Sequence, residues 1–268
     1  MKFGSFVASG VKEVNELFPH GPLAPALFRS DFNSSTAGEP PLAAQQTGTV
    51  TVGGNVVIGY PLGEGSNWVR LERPTFDPNP NSLPTLNCQF SQSPGEGVYK
   101  FSAALFISSA VGSEAIEANP VATISFEDSI FSNLDGFLHL DFTADNHVRI
   151  DDDDSTDLTL TFPRDKVFSV QAILNINAAS PSVRIELSGN GASGEARHDV
   201  SQFGLHLLRD SGFGGVTFWI GAESLGMFYT ANVLVTRETA GLLAQEVLQE
   251  ALHEVARPAR AMTDPGQP

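Results

Sequence analysis

The chain has 268 residues and is 41% apolar, enough to bury a core in one large domain or two small ones without a disulfide or metal staple. Its net charge of −16, with lysine only at Lys2, Lys12, Lys100 and Lys166, opposes binding to nucleic acid and to anionic headgroups, since both rely on clustered Lys and Arg. No stretch approaches the roughly 18 consecutive apolar residues of a membrane span, so none is expected.

At the N-terminus, Val11, Val14, Leu17 and Phe18 recur at helical spacing before Pro19, which predicts a short helix within an extension over residues 1–24. Gly, Ser, Lys and Glu interrupt this stretch, so it lacks the apolar centre of a signal peptide. The expectation is a cytoplasmic protein, or one exported by a route without a classical signal peptide.

Beyond the extension the pattern changes to period two, broken about every eight to twelve residues by Gly, Pro, Asn, Asp or Ser, as in an all-β sandwich or barrel. Residues 25–237 are assigned to this unit. Trp68 alternates with Val69 and Leu71, and so points away from the inward set beside Arg70. Cys88, the single cysteine, alternates with polar neighbours and reads as a small core residue. In "VYKFSAALFIS" the inward set is Tyr99, Phe101, Ala103, Leu105 and Ile107.

"RIDDDDSTDLTL" follows at residues 149–160, between two alternating stretches, and makes Asp151–Asp157 a hairpin connection. Thr156 stands where an EF-hand requires Gly and Phe162 where it requires Glu, so that motif is excluded. Two readings stay open: a solvated turn, or a calcium site built from Asp151, Asp153 and Asp157. Calcium is the one cofactor these residues suggest.

Further on, Phe168, Val170, Ala172, Leu174 and Ile176 form one inward set, and Val183, Ile185 and Leu187 another. "GNGASG" has the glycine spacing of a dinucleotide loop, but no helix follows to face a phosphate, and turn glycines explain it. Trp219 alternates with Phe218 and Ile220 and so points outward, near Glu223. "MFYTANVLVTR" places Tyr229, Ala231, Val233 and Val235 on one face. A dozen or more such strands exceed what one twisted open sheet usually carries, so two packed antiparallel sheets are expected.

Over residues 238–268, Leu243, Val247, Leu248, Leu252 and Val255 form the apolar stripe of an amphipathic helix ended by Pro258, with a disordered tail beyond. The stripe either packs on the sandwich's own surface or mediates self-association or docking on a protein partner.

"LFRSDFNSSTAGEPP" and "VTFWIGAESLGMFYTANVLVTR" resemble the first and last strands of bacterial sandwiches in the concanavalin A-like lectin/glucanase superfamily. Asn232–Thr236 stands where such domains carry a pattern resembling "DNVRVT". The resemblance implies a jelly-roll of two antiparallel sheets, with the opening strand beside the closing one. It implies no activity, because this fold hosts lectins, hydrolases and structural modules. The superfamily's laminarinase-like hydrolases share an E-x-D-x-x-E strand, and that spacing is missing here: Glu127 and Asp128 are adjacent and face opposite ways.

The functional expectation is a non-catalytic binding module with a glycan as ligand. Trp68 and Trp219 would stack on sugar rings, and Arg70 and Glu223 would bond the hydroxyls. The alternative for Trp219 is a place beneath the C-terminal helix or a loop. Two other functions stay open: an assembly protein that self-associates or docks through its terminal helices, and a glycan-active hydrolase with an unrecognised site.

Overall fold

The computed structural model describes residues 25–62, 67–76, 79, 82–92, 95–111, 119–128, 136–151, 156–176, 181–200, 212–221 and 224–238. Both expected terminal helices, the tail, Asp153 and Glu223 lie outside these residues. Among the described residues no helix is long and apolar enough to cross a membrane.

The strands form two antiparallel sheets. The eight-stranded sheet runs β13 (Ala192–Asp199), β12 (Ser182–Gly189), β11 (Val167–Ile176), β6 (Gly97–Ile107), β15 (Gly226–Arg237), β4 (Trp68–Arg73) and β3 (Val56–Gly59), with β1 (Ala26–Ser30) also paired to β15. The seven-stranded sheet runs β10 (Thr156–Thr161), β9 (His147–Asp151), β8 (Leu138–Thr143), β7 (Pro120–Asp128), β14 (Phe213–Trp219), β5 (Thr85–Gln89) and β2 (Thr49–Gly53). The opening strand lies against the closing one, Phe28 opposite Val235 and Ser30 opposite Val233, as the resemblance implies. Neighbours in a sheet are often far apart in sequence: β14 enters between β7 and β5.

Alternation explains the core. The inward sets of β6, β11 and β12 are buried there, against Ile124 and Phe126 of β7, Leu138, Leu140 and Phe142 of β8, and Val216 and Phe218 of β14. Rings interlock across the two layers: Phe101 meets Phe126 edge-on at 5.5 Å, and Tyr99 meets Phe213 at 5.3 Å. Such edge-to-face pairs add about 0.5–1.5 kcal/mol each beyond area burial. Cys88 is fully buried, and burial pushes its thiol well above its ordinary range. At Gly226 the sheets approach so closely that a Cβ would collide with the Val121 carbonyl, and only glycine fits.

One strand departs from simple alternation. The β15 register shifts between Ala231 and Leu234, where Asn232 adopts φ 53°. Such a bulge inserts an extra residue and reverses the faces beyond it. Val233 and Val235 therefore join the core, while Tyr229 and Ala231, expected on the same face, join a separate cluster on the sheet's outer side.

The acidic stretch links β9 to β10, which pair antiparallel with Thr156 opposite Ile150 and Asp157 opposite Arg149. Asp151 closes β9 and Asp157 belongs to β10, so of the expected connection only residues 152–155 lie between the strands, and they are outside the described residues.

Candidate functional site

The outer face of the seven-stranded sheet is where polar side chains converge. Because side chains alternate along each strand, the residues between the core positions of β7, β8, β14 and β5 share this face. Ladder register sets them in rows. One row runs Asp151, His139, Ser125, Thr217, Asn87 and Thr51 across β9, β8, β7, β14, β5 and β2. The next runs Arg149, Asp141, Thr123, Trp219, Thr85 and Gly53. On the other side of the first row stands Glu127, beside Gly215 and then Gln89.

At the centre, β7 supplies Thr123, Ser125 and Glu127, all buried; His139, Asp141 and Trp219 on the flanking strands are partly exposed. Part of the polar set is internally satisfied. Thr123 Oγ1 donates to Asp141 Oδ1 at 2.6 Å, Thr217 Oγ1 to Asn87 Oδ1 at 3.1 Å, and Asn87 Nδ2 to Thr51 Oγ1 at 3.2 Å. His139 meets the Trp219 indole edge-on, with centroids 5.9 Å apart.

Another part is unsatisfied. Glu127 Oε1, His139 Nε2 and Trp219 Nε1 are buried atoms without a hydrogen-bond partner, and Ser125 Oγ completes no bond of full geometry although it lies near enough to the Glu127 carboxyl to favour its charge. A buried polar atom left unpaired costs about 1–3 kcal/mol, so such a group on one face calls for an explanation. Together they offer one indole donor, a hydroxyl and an imidazole nitrogen that can each serve in either role, and a carboxyl oxygen. Gly136 sits on Ser125, where any Cβ would collide with the Ser125 hydroxyl and the Phe126 carbonyl.

Electrostatics mark the same groups. Burial pushes the Glu127 carboxyl above the usual carboxylate range and Asp128 adds to the rise, while Ser125, Thr217 and His139 pull it back. Burial also raises Asp141, with Asp151 acting in the same sense and Thr123, His139 and Arg149 opposing.

The two tryptophans do not share a site. Trp219 stands in the polar rows, whereas Trp68 and Arg70 belong to the outer face of the eight-stranded sheet. There Trp68 is 7% exposed and clusters with Phe106, Tyr229 and Ala231, and Arg70 Nη2 lies 3.6 Å from Glu72 Oε2. In the acidic hairpin, Asp157 is engaged by His147 Nδ1 at 3.1 Å and by the Thr159 N–H at 2.7 Å, and Asp151 lies opposite His139. Among the described residues no group of three or more His, Cys, Asp or Glu could hold a metal ion.

Sequence reasoning weighed Glu127 only as half of a hydrolase pair with Asp128 and passed over Thr123, Ser125, His139, Asp141, Asn87 and Thr217. A usable signal was present in "VATISFED", where a carboxylate and two hydroxyls alternate inside a run that otherwise reads as core. "HLD" at 139–141 and "TFW" at 217–219 repeat the alternation. That the three stretches are neighbours depends on topology.

No protein-family model matches the chain, and no curated protein matches it in sequence. Solved structures match in fold. A sialidase superposes with TM-score 0.50 and 13% identity over 79% of this chain, which spans only 19% of the sialidase. Lectin II from Ulex europaeus gives TM-score 0.47 at 10% identity, covering 76% of this chain and 98% of the lectin. The globular domain of T. cruzi calreticulin gives 0.46 at 13% identity, covering 90% and 99%. The fold is that of the concanavalin A-like jelly-roll sandwiches.

Proposed function

We propose that the protein is a non-catalytic carbohydrate-binding sandwich that receives its glycan on the outer face of the seven-stranded sheet. One observation carries this reading: a partly exposed indole, its own Nε1 unpaired, shares a single face with three further buried polar atoms that lack a full hydrogen-bond partner. A sugar ring has an apolar face for the indole and hydroxyls that both donate and accept, which is the complement such a surface lacks. Fold alone decides nothing here, since the same sandwich carries many functions.

Hydrolysis is a poorer fit to the same residues. Glycosidases flank the scissile bond with two carboxyls roughly 5–9.5 Å apart. Glu127 and Asp141 are the two carboxyls of this face that burial raises, and Asp141 lies opposite Thr123, four residues along β7 from Glu127. At a rise of about 3.4 Å per residue, that puts their Cα atoms about 14 Å apart.

The test is glycan-array screening of the full chain, followed by calorimetry on Trp219→Ala, Asn87→Ala and Trp68→Ala. Binding weakened tenfold or more by the first two and kept by the third is expected. A wild type that binds no glycan, or a Trp219→Ala variant that binds as the wild type does, overturns the reading.

A further inference from the structure

The charge pattern of this face narrows the ligand class. We infer, resting on the sugar reading, that the site accepts an uncharged sugar and refuses anionic ones, with Glu127 as the specificity-determining residue. Glu127 is 2% exposed, its Oε1 has no partner, and it stands in the row beside Ser125 and Thr217. A carboxyl oxygen in that position accepts a hydrogen bond from a hydroxyl when ionised and donates one when protonated. It offers a sulfate, a sialic acid carboxylate or a uronate only repulsion, or at best a single proton.

The charged groups on the surrounding strands do not offset this. β7 adds Asp128 at its end; β8 contributes His139 and Asp141; β9 contributes His147, which is engaged with Asp157, together with Arg149 and Asp151. β14 and β5 bring Thr217, Trp219, Asn87 and Gln89 to this face, and none of these is charged. Arg149, the arginine of the face among the described residues, lies opposite Asp141 and 3.8 Å from Asp145. From β9, two strands away from β7, it is thus committed to these carboxylates. Rejection by an unmatched like charge is a common route to specificity.

The experiment uses the full chain and paired neutral and O-sulfated forms of galactose-, glucose- and mannose-terminated glycans, in low salt at pH 8. Sulfate keeps its charge over the range used, so any titration belongs to the protein. The expected result is sulfated partners bound about thirtyfold more weakly, the order for like charges some 8 Å apart at an effective dielectric constant near 20. The ratio should shrink at least about tenfold in Glu127→Gln, and it should also shrink in the wild type as the pH is lowered from 8, the direction in which a raised carboxyl takes up its proton. Equal or tighter binding of the sulfated forms, or a ratio that Glu127→Gln and acid pH both leave unmoved, overturns the inference while the sugar reading stands. Binding of no glycan in either form overturns the sugar reading itself, and this inference with it. An imidazole on the same face can also gain a proton over this range, so the pH arm is repeated in His139→Gln, where the shrinkage should persist; that arm keeps the test decisive if Glu127→Gln fails to fold.

Discussion

On the outer face of the eight-stranded sheet Trp68 lies against Phe106, Tyr229 and Ala231, with Ala104, Val167 and Met227 at the margin. On the outer face of the seven-stranded sheet Trp219 stands instead among Thr123, Thr217, Asn87 and His139. The two indoles have similar sequence surroundings, each alternating with core residues. Their neighbours across the ladder differ, however, and those neighbours decide what each can do. An aromatic among aromatics adds to a second apolar cluster and works for stability. An aromatic among polar groups that are only partly paired has chemistry to spare for a ligand.

The most drastic way to break the comparison is to remove what both faces rest on. Phe213 contacts Phe90, Tyr99, Phe126 and Phe137, so Phe213→Ala should cost roughly 3–5 kcal/mol in urea unfolding, and both faces should lose their structure together. Next come the tryptophans themselves. Trp68→Ala should cost about 3 kcal/mol of stability and leave glycan affinity alone. Trp219→Ala should cost less stability but weaken glycan binding tenfold or more, as loss of a binding hot spot of about 1.4 kcal/mol implies. If calorimetry and unfolding show equal losses for the two variants, the distinction between the faces collapses.

A smaller effect sharpens the polar face alone. Gly136→Ala places a methyl group against Ser125 and the Phe126 carbonyl and should cost about 1–3 kcal/mol, read as a lower Cm. The gentlest probe is pH. A raised carboxyl in the folded state means that Glu127 supports folding while protonated, and that this support is lost as pH rises through its folded pKa. Glu127→Gln should therefore match the wild type in Tm near pH 4 and exceed it at pH 8. Asp145 and Asp165 act in the opposite sense: hydrogen bonds from Thr143 and Ser109 respectively help hold them low, and their contribution is lost as pH falls. Taking the variant-minus-wild-type difference at each pH removes their share.

Legibility in the sequence varied by element. The inward sets of β6, β11 and β12 could be read directly, because an uninterrupted strand obeys period two. In β15 the same reading held for Val233 and Val235 and failed for Tyr229 and Ala231, since a single bulged residue at Asn232 reverses the faces without disturbing the hydrophobic pattern. The outward direction of both tryptophans was legible; which sheet each belongs to was not. The site residues were hidden for a related reason. Thr123, His139, Thr217 and Asn87 come from four strands, and each alone is an ordinary polar residue on the outer side of a strand.

By itself, then, the sequence determined the class of fold, two antiparallel sheets with a Phe-rich core, because alternation and turn spacing are local properties of the chain. It also determined a surface poorly suited to polyanions, since net charge needs no structure to be counted. Only the tertiary structure decided that β14 lies between β7 and β5, and with it which polar groups share a face. It also decided that Glu127 is buried with its Oε1 unpaired while Trp68 is buried among apolar groups. Those are consequences of strand pairing between residues far apart in sequence, Asn87 and Thr217 by 130 positions for example, and no local pattern encodes such pairing.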